Sequence, residues 1–442
     1  MYTKPLVTAA SVLLFSLAAS SAFASFTQQG TKLIGTGAVG NANQGFSVAV
    51  SADGNTAVVG GASDNAGAGA AWIYTRSGGV WSQQGAKLVG TGAVGASQQG
   101  SSVAVSADGN TAVVGGYNDN ADAGAAWVYT RSGGVWSQQA KLVGTGIVGI
   151  AHQGFSVAVS SDGNTAVLGG YFDNSGAGAA WVFTRGGTVW SQQGAKLVGT
   201  GAVGNAQQGR SVAVSGDGNT AVVGGSADNG NAGAAWVYTR SGGVWTQQGA
   251  KLVGAGAVGN AFQGTSVAVS ADGNTAVVGA QSDNSNLGAA WIYTRSAGVW
   301  SQDGAKLVGT GAVGASNQGS SVAVSSNGNT AVVGGSGDNN ATFAGAAWVY
   351  KRLGGVWNQQ GAKLVGTGAV NPAQQGCSVA LSADGGTAFV GGYQDNGGAG
   401  AAWAYFDPNY VPSLTTWGML ALGMSLAGVA LVMGLRRRRT FA

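Results

Sequence analysis

The chain has 442 residues, of which 83 are Gly and 4 are Pro, with 20 Lys and Arg against 16 Asp, no Glu, one His and one Cys. A single cysteine excludes an internal disulfide, and one His without Glu leaves too few donors for a zinc site. The formal charge of +4 belongs to the ends: without Lys4 and Arg436, Arg437, Arg438 and Arg439, 15 basic residues face 16 Asp, and so neutral a body attracts nucleic-acid phosphates poorly.

The first segment reads as an export signal. Lys4 is followed by the apolar run 6–19 and the small-x-small triplet Ala22-Phe23-Ala24. That pattern predicts a signal peptide over 1–24, cleaved between Ala24 and Ser25.

A repeat then begins. Trp72, Trp127, Trp181, Trp236, Trp291, Trp348 and Trp403 mark one position in successive units, spaced 55, 54, 55, 55, 57 and 55 residues apart. Periods of this size point to propellers or stacked arrays. In the first unit SVAVS (47–51) and TAVVG (56–60) flank the turn pair Asp53-Gly54, a hairpin signature. AAWIYTR (70–76) and VWSQQGAKLVG (80–90) flank Ser77-Gly78-Gly79 and give a second hairpin. Four antiparallel strands per unit are the content of one propeller blade. Trp72 and Trp81 are assigned to packing, because they recur with the repeat.

The ends predict closure. The seventh unit stops after its third strand, AAWAYFDP, whereas a fourth-strand sequence, FTQQGTKL, stands alone from Phe26. Docking this leading strand into the last blade completes seven blades and removes a free edge. The predicted fold is therefore all-β: a seven-bladed propeller over 25–407, closed by its N-terminal strand.

SVAVSADGNTAVVGG, followed by a Gly-rich loop and AAWVYTR, resembles the bacterial FG-GAP repeat, whose propeller is shared with the integrin α-chain head. The resemblance covers nearly all of 26–406. Gln44-Gly45 stands where that family has Phe-Gly, and Gly60-Gly61 where it has Gly-Ala-Pro. Integrin-type blades often bind calcium, which needs six to eight oxygens with several carboxylates. Here Asp53, Asp108, Asp162, Asp217, Asp272 and Asp384 stand singly in their turns, with Asn327 in the sixth unit. A turn role is expected for them and calcium is disfavoured; no cofactor is expected.

A second acidic set precedes strand three: Asp64-Asn65, Asp119-Asn120, Asp173-Asn174, Asp228-Asn229, Asp283-Asn284, Asp338-Asn339 and Asp395-Asn396. Such pairs shape loops through bonds to their own backbone. They also mark the candidate ligand site: seven loops on one rim that offer carboxylates and amides to a glycan or surface protein, with the variable Tyr117, Tyr171, Phe172 and Tyr393 beside them. The strand-four lysines, Lys32, Lys87, Lys141, Lys196, Lys251, Lys306 and Lys363, are read as solvated edge residues, and Arg76 with its repeats as solvated strand ends. Cys377 occupies a position held elsewhere by Phe46, Ser101, Phe155, Arg210, Thr265 and Ser320, and so reads as passive. His152 has no nucleophile motif beside it, and only Asp122, Asp303 and Asp407 stand outside the repeating acidic sets. No catalytic residue and no metal ligand is assigned.

After a linker at 408–416 comes WGMLALGMSLAGVALVMGL (417–435), 19 residues without charge, long enough to cross a membrane as a helix. The Arg-rich tail 436–442 predicts a cytoplasmic end and an external body. Val411-Pro412-Ser413-Leu414, then Trp417-Gly418, the apolar span and the arginines resemble the IPTL-CTERM sorting signal of Gram-negative bacteria. That resemblance implies an exosortase-type processing enzyme as partner and a cell-surface destination after anchoring through 417–435. A permanent single-span anchor is the other reading. The functional expectation is an exported, non-catalytic propeller acting in ligand binding or adhesion through its rim loops. The alternatives are a structural component of the matrix or envelope, and a propeller hydrolase or lyase.

Overall fold

The computed structural model describes residues 26–409. The signal segment with its Ala24/Ser25 junction, the motif residues from Val411 to Gly418, the span 417–435 and the tail lie outside the described residues. Among those described, no helix is long and apolar enough to cross a membrane.

The chain folds as seven four-stranded antiparallel sheets. In blade 1, Gln44–Val50, Thr56–Gly61, Ala70–Ser77 and Val80–Gln83 pair in that order from the axis outward. Blade 7 takes its outer strand from the other end of the chain: Thr27–Gln28 pairs with Ala401–Phe406 through Thr27↔Phe406 and Gln28↔Tyr405. The predicted closure is therefore present. Two further repeated contacts cross the junction, Lys32 to Asp395 at 2.5 Å and the Thr367 N–H to Gln28 Oε1 at 2.7 Å. The splice is imperfect in one respect. Phe26 and Asp407 replace the Trp and Arg that donate to the matching glutamine Oε1 in other blades; here the Gln360 amide nitrogen is buried without a described partner, and Asp407 pairs with Lys351 at 2.5 Å.

No blade has a core of its own. Each of the seven buried clusters joins two neighbours: Val48, Val59, Trp72 and Tyr74 of blade 1 pack with Ala380, Phe389, Ala402 and Ala404 of blade 7. The seven strand-three tryptophans are fully buried. Each indole N–H also donates to a loop carbonyl, as Trp72 does to Thr36 at 2.8 Å. Burying an indole stabilises by several kcal/mol gross, at roughly 25 cal/mol per Å² of apolar area.

The outer strand departs from the expected 80–90 run. It ends at Gln83 in blade 1, because Gly85 takes a φ of 74° and turns the chain before Leu88 rejoins at a single bridge to Ala71. Blade 2 lacks this glycine, which accounts for the 54-residue spacing, and there Val135–Leu142 runs unbroken with one bulge.

Two closed rings of hydrogen bonds encircle the axis. At the Asp-Gly turn end, backbone N–H groups donate blade to blade from Ala52 to Ala107, Ser161, Gly216, Ala271, Ser326, Ala383 and back to Ala52, at 2.9–3.1 Å. At the opposite end the innermost-strand serines donate to glycine carbonyls of the next blade, from Ser47 to Gly100 through Ser378 to Gly45, at 2.8–2.9 Å. Gly45 sits where a Cβ would collide with the Ala401 carbonyl oxygen, and its φ is +81°. These rings fix both ends of a central channel.

Candidate functional site: the channel mouth

The Asp-Asn loops and the starts of the innermost strands share one face. Each loop is a tight turn whose Asn adopts a left-handed conformation, as Asn65 does at φ 49° and ψ 61°. The Asp beside it points inward. Asp64, Asp119, Asp173, Asp228, Asp283, Asp338 and Asp395 are 0–1 % exposed. One oxygen of Asp64 accepts the Val39 N–H at 2.8 Å and the other meets the Lys87 ammonium at 2.5 Å. The equivalent lysines pair in the same way at 2.5–2.6 Å.

Two expectations are thereby corrected. The rim carboxylates are not presented to solvent, because both oxygens are engaged, and the lysines are not solvated edge groups, because each closes a buried pair. Asn65, Asn120, Asn174, Asn229, Asn284 and Asn396 remain exposed, and Asn339 is half-buried.

The arginines are also bound. Arg76 stacks over Trp81, 5.3 Å from the ring centre, and donates to Asn55, Gln29 and Thr387 at 3.0–3.2 Å. It therefore ties blade 1 to blade 7 rather than ending a strand in water. Between blades 5 and 6, Asp303 of blade 5 replaces the glutamine and meets Arg352 of blade 6 at 3.0 Å and the Trp357 N–H at 3.2 Å. The Asp53 carboxylate is likewise spent within its turn, on Ser51 Oγ at 2.5 Å and on the main-chain and side-chain nitrogens of Asn55 at 2.9 and 3.0 Å. Burial pushes its pKa up, but these bonds outweigh burial and hold it below the ordinary carboxylate value.

Inside the rim the repeat breaks down. The residue before the repeated Ser-Val of each innermost strand is Phe46, Ser101, Phe155, Arg210, Thr265, Ser320 or Cys377. Phe155, Thr265, Ser320 and Cys377 line the mouth chamber of about 180 Å³. A second chamber of about 140 Å³ lies toward the other end, walled by Val, Ala, Ser, Gly and Leu alone.

On one side of the mouth, blades 2 and 3 bring five rings together and blade 4 adds Arg210. Phe155 meets Tyr171 edge-on at 4.6 Å and Tyr117 at 5.3 Å, and His152 stacks on Phe172 at 5.5 Å. His152 Nδ1 and the Tyr171 hydroxyl share a hydrogen bond of 3.0 Å. The Arg210 guanidinium lies over Phe155 at 5.4 Å and Tyr171 at 5.9 Å, within cation–π range. Across the mouth Phe46 and Tyr393 form a separate pair at 5.4 Å.

Burial lowers the His152 pKa, partly opposed by Asp122, so the imidazole is neutral at pH 7. Burial raises Tyr117 and Tyr171, and Arg210 partly offsets the effect at Tyr171. Burial pushes the Cys377 thiol up to about 11, so it is not a thiolate at neutral pH.

Of the variable residues read beside the loops, Tyr117, Tyr171 and Phe172 join this cluster and Tyr393 lies in the opposite pair. His152, Phe155 and Arg210 were not assigned to it. Their signal was present as departures from the repeat at two positions.

No family model and no curated protein matches the chain. A solved structure described as Kuenenia stuttgartiensis hydrazine synthase is similar, with a TM-score of 0.50 and 16 % identity, over 83 % of this chain and 96 % of that one. In all, 561 solved chains match, so the propeller is a widely shared architecture and does not by itself select a function.

Proposed function

We propose that the protein is an exported, surface-sorted, non-catalytic propeller that binds a ligand at the channel mouth, in the manner of an adhesin-like module. One observation carries the reading: five aromatic or imidazole rings at positions that vary between repeats meet on one side of the mouth beside Arg210. Rigid scaffolds commonly carry binding on the loops at one face. The exposed rim asparagines supply neutral amides around the cluster, so the binding surface is the mouth with its rim rather than the rim carboxylates.

Assignment to FG-GAP-type repeats, export by the 1–24 signal, anchoring by 417–435 and processing by an exosortase-type enzyme belong to this proposal and rest on the motifs quoted above. No cofactor is invoked.

A structural role in matrix or envelope is the second reading. It is favoured by the uniformity of the seven Asp–Lys and Trp contacts, which suits a passive building block.

The test is a glycan and surface-protein binding screen with the full chain and with Tyr171→Ser, since Ser226 and Ser336 stand at the equivalent place. Saturable binding that the substitution weakens at least tenfold is expected. Deletion that loosens the biofilm or envelope, with no saturable ligand found, would favour the structural reading.

A further inference from the structure

The seven described arginines do not share one environment. Arg76, Arg131, Arg185, Arg240, Arg295 and Arg352 each stack on a tryptophan and donate to side-chain oxygens of two or three residues. Arg210 is different. It is half-buried, pressed against two aromatic faces, and forms no ion pair and no side-chain hydrogen bond with any described residue. A guanidinium has five N–H donors in a planar fork. The fold leaves these donors without a protein acceptor, and a carboxylate is the acceptor that matches the fork two bonds at a time. The frame does not require this arginine, because Ser101, Thr265 and Ser320 fill the same position in blades of the same shape.

Taking the mouth as the binding site proposed above, we infer that its ligand is an acidic saccharide whose carboxylate pairs with Arg210 while a sugar face rests on the exposed Phe172 ring beside Tyr171. Charge complementarity selects this class. The rim lysines of the same face are all committed to buried aspartates. Arg210 is thus the cation left to meet a ligand there, among the described residues. The same face carries neutral groups: Gln207, which begins the turn of Arg210, and the exposed amides of Asn174 and Asn229 on the rim.

One cation within a field of amides and aromatic faces matches a ring that carries one carboxylate and several hydroxyls. An acidic peptide offers carboxylates on flexible side chains but no ring face to lie against the aromatic side chains. The chamber of about 180 Å³ is smaller than the roughly 300 Å³ of a small-molecule pocket. The saccharide therefore lies across the mouth rather than sinking into the channel.

The experiment titrates the full chain with an oligogalacturonate, its methyl ester, a neutral galactan of equal length and an oligo-aspartate. Wild type is compared with Arg210→Thr and Tyr171→Ser, and thermal unfolding confirms that both variants fold. The inference expects the oligogalacturonate to bind best, with affinity at least tenfold weaker in Arg210→Thr and for the methyl ester. Equal affinity of Arg210→Thr for the oligogalacturonate overturns it, as does oligo-aspartate binding as tightly or no member of the panel binding at all. Binding of neutral galactan that Tyr171→Ser weakens and Arg210→Thr does not would leave the mouth as a binding site while removing the acidic class.

Discussion

Asp228 and Arg210 stand in one blade, on one face, and both are charged, yet they are held in opposite ways. Asp228 recurs in all seven blades, is 1 % exposed, and has both oxygens engaged by Lys251 and the Val203 N–H. Arg210 occurs once, has rings for neighbours and no described acceptor. The repeated residue satisfies itself within the fold and has nothing left for a partner. The unrepeated one is left with donors that the fold does not use. Among these charges, the repeated ones are satisfied within the frame, and the one left without a described ion pair marks the site.

Substitutions that separate frame from site sharpen this contrast. The largest effect is expected at the frame tryptophans: Trp236→Ala removes a fully buried indole between two blades and should cost about 3–5 kcal/mol in urea unfolding. Asp228→Ala leaves a mostly covered lysine and a loop N–H without their acceptor, and should cost about 2–4 kcal/mol, less than a wholly buried pair because Lys251 keeps some solvent. Tyr238→Phe should be neutral or stabilising by up to about 1 kcal/mol. Its hydroxyl is buried without a described partner, and blade 3 already carries Phe183 at that position.

The smallest effect is a pH dependence at the mouth. His152 has a folded pKa below its ordinary 6.5, so the unfolded chain takes up this proton more readily. Its contribution to stability is therefore fully present above pH 6.5 and is lost as pH falls through the folded value. His152→Gln, copying Gln98 and Gln207, should flatten that part of the curve measured by thermal unfolding from pH 8 to 5.

Much of the frame was legible in the residues. The seven tryptophans, the paired hairpin turns and the orphan strand at Phe26 specify blade number and closure, because each signal repeats within a single unit. The Asp–Lys pairs were not legible. Lys87 and Asp64 are separated by 23 residues and a hairpin, and neither type announces its partner when both recur in phase. Nor were the arginine ties, since Arg76 reaches Gln29 of the neighbouring blade. The break in the outer strand at Gly85 was written in the sequence, and blade 2, which lacks that glycine, supplied the control.

The mouth was half legible. Variation at the position of Arg210 and Phe155 was visible, but it reads as passivity until closure brings positions 117, 152, 155, 171 and 210 onto one side of a ring.

The most direct test converts the mouth of blades 2 to 4 into that of its plainer copies, with Tyr117→Ser, His152→Gln, Phe155→Ser, Tyr171→Ser and Arg210→Thr made together in the full chain. Every incoming residue already occupies the matching position in another blade. Thermal unfolding and ligand capture are then measured on one preparation. We expect an unfolding temperature within a few degrees of wild type and capture reduced at least tenfold. A variant that fails to fold would show that the cluster belongs to the frame, and one that folds and still captures ligand would show that the site lies elsewhere.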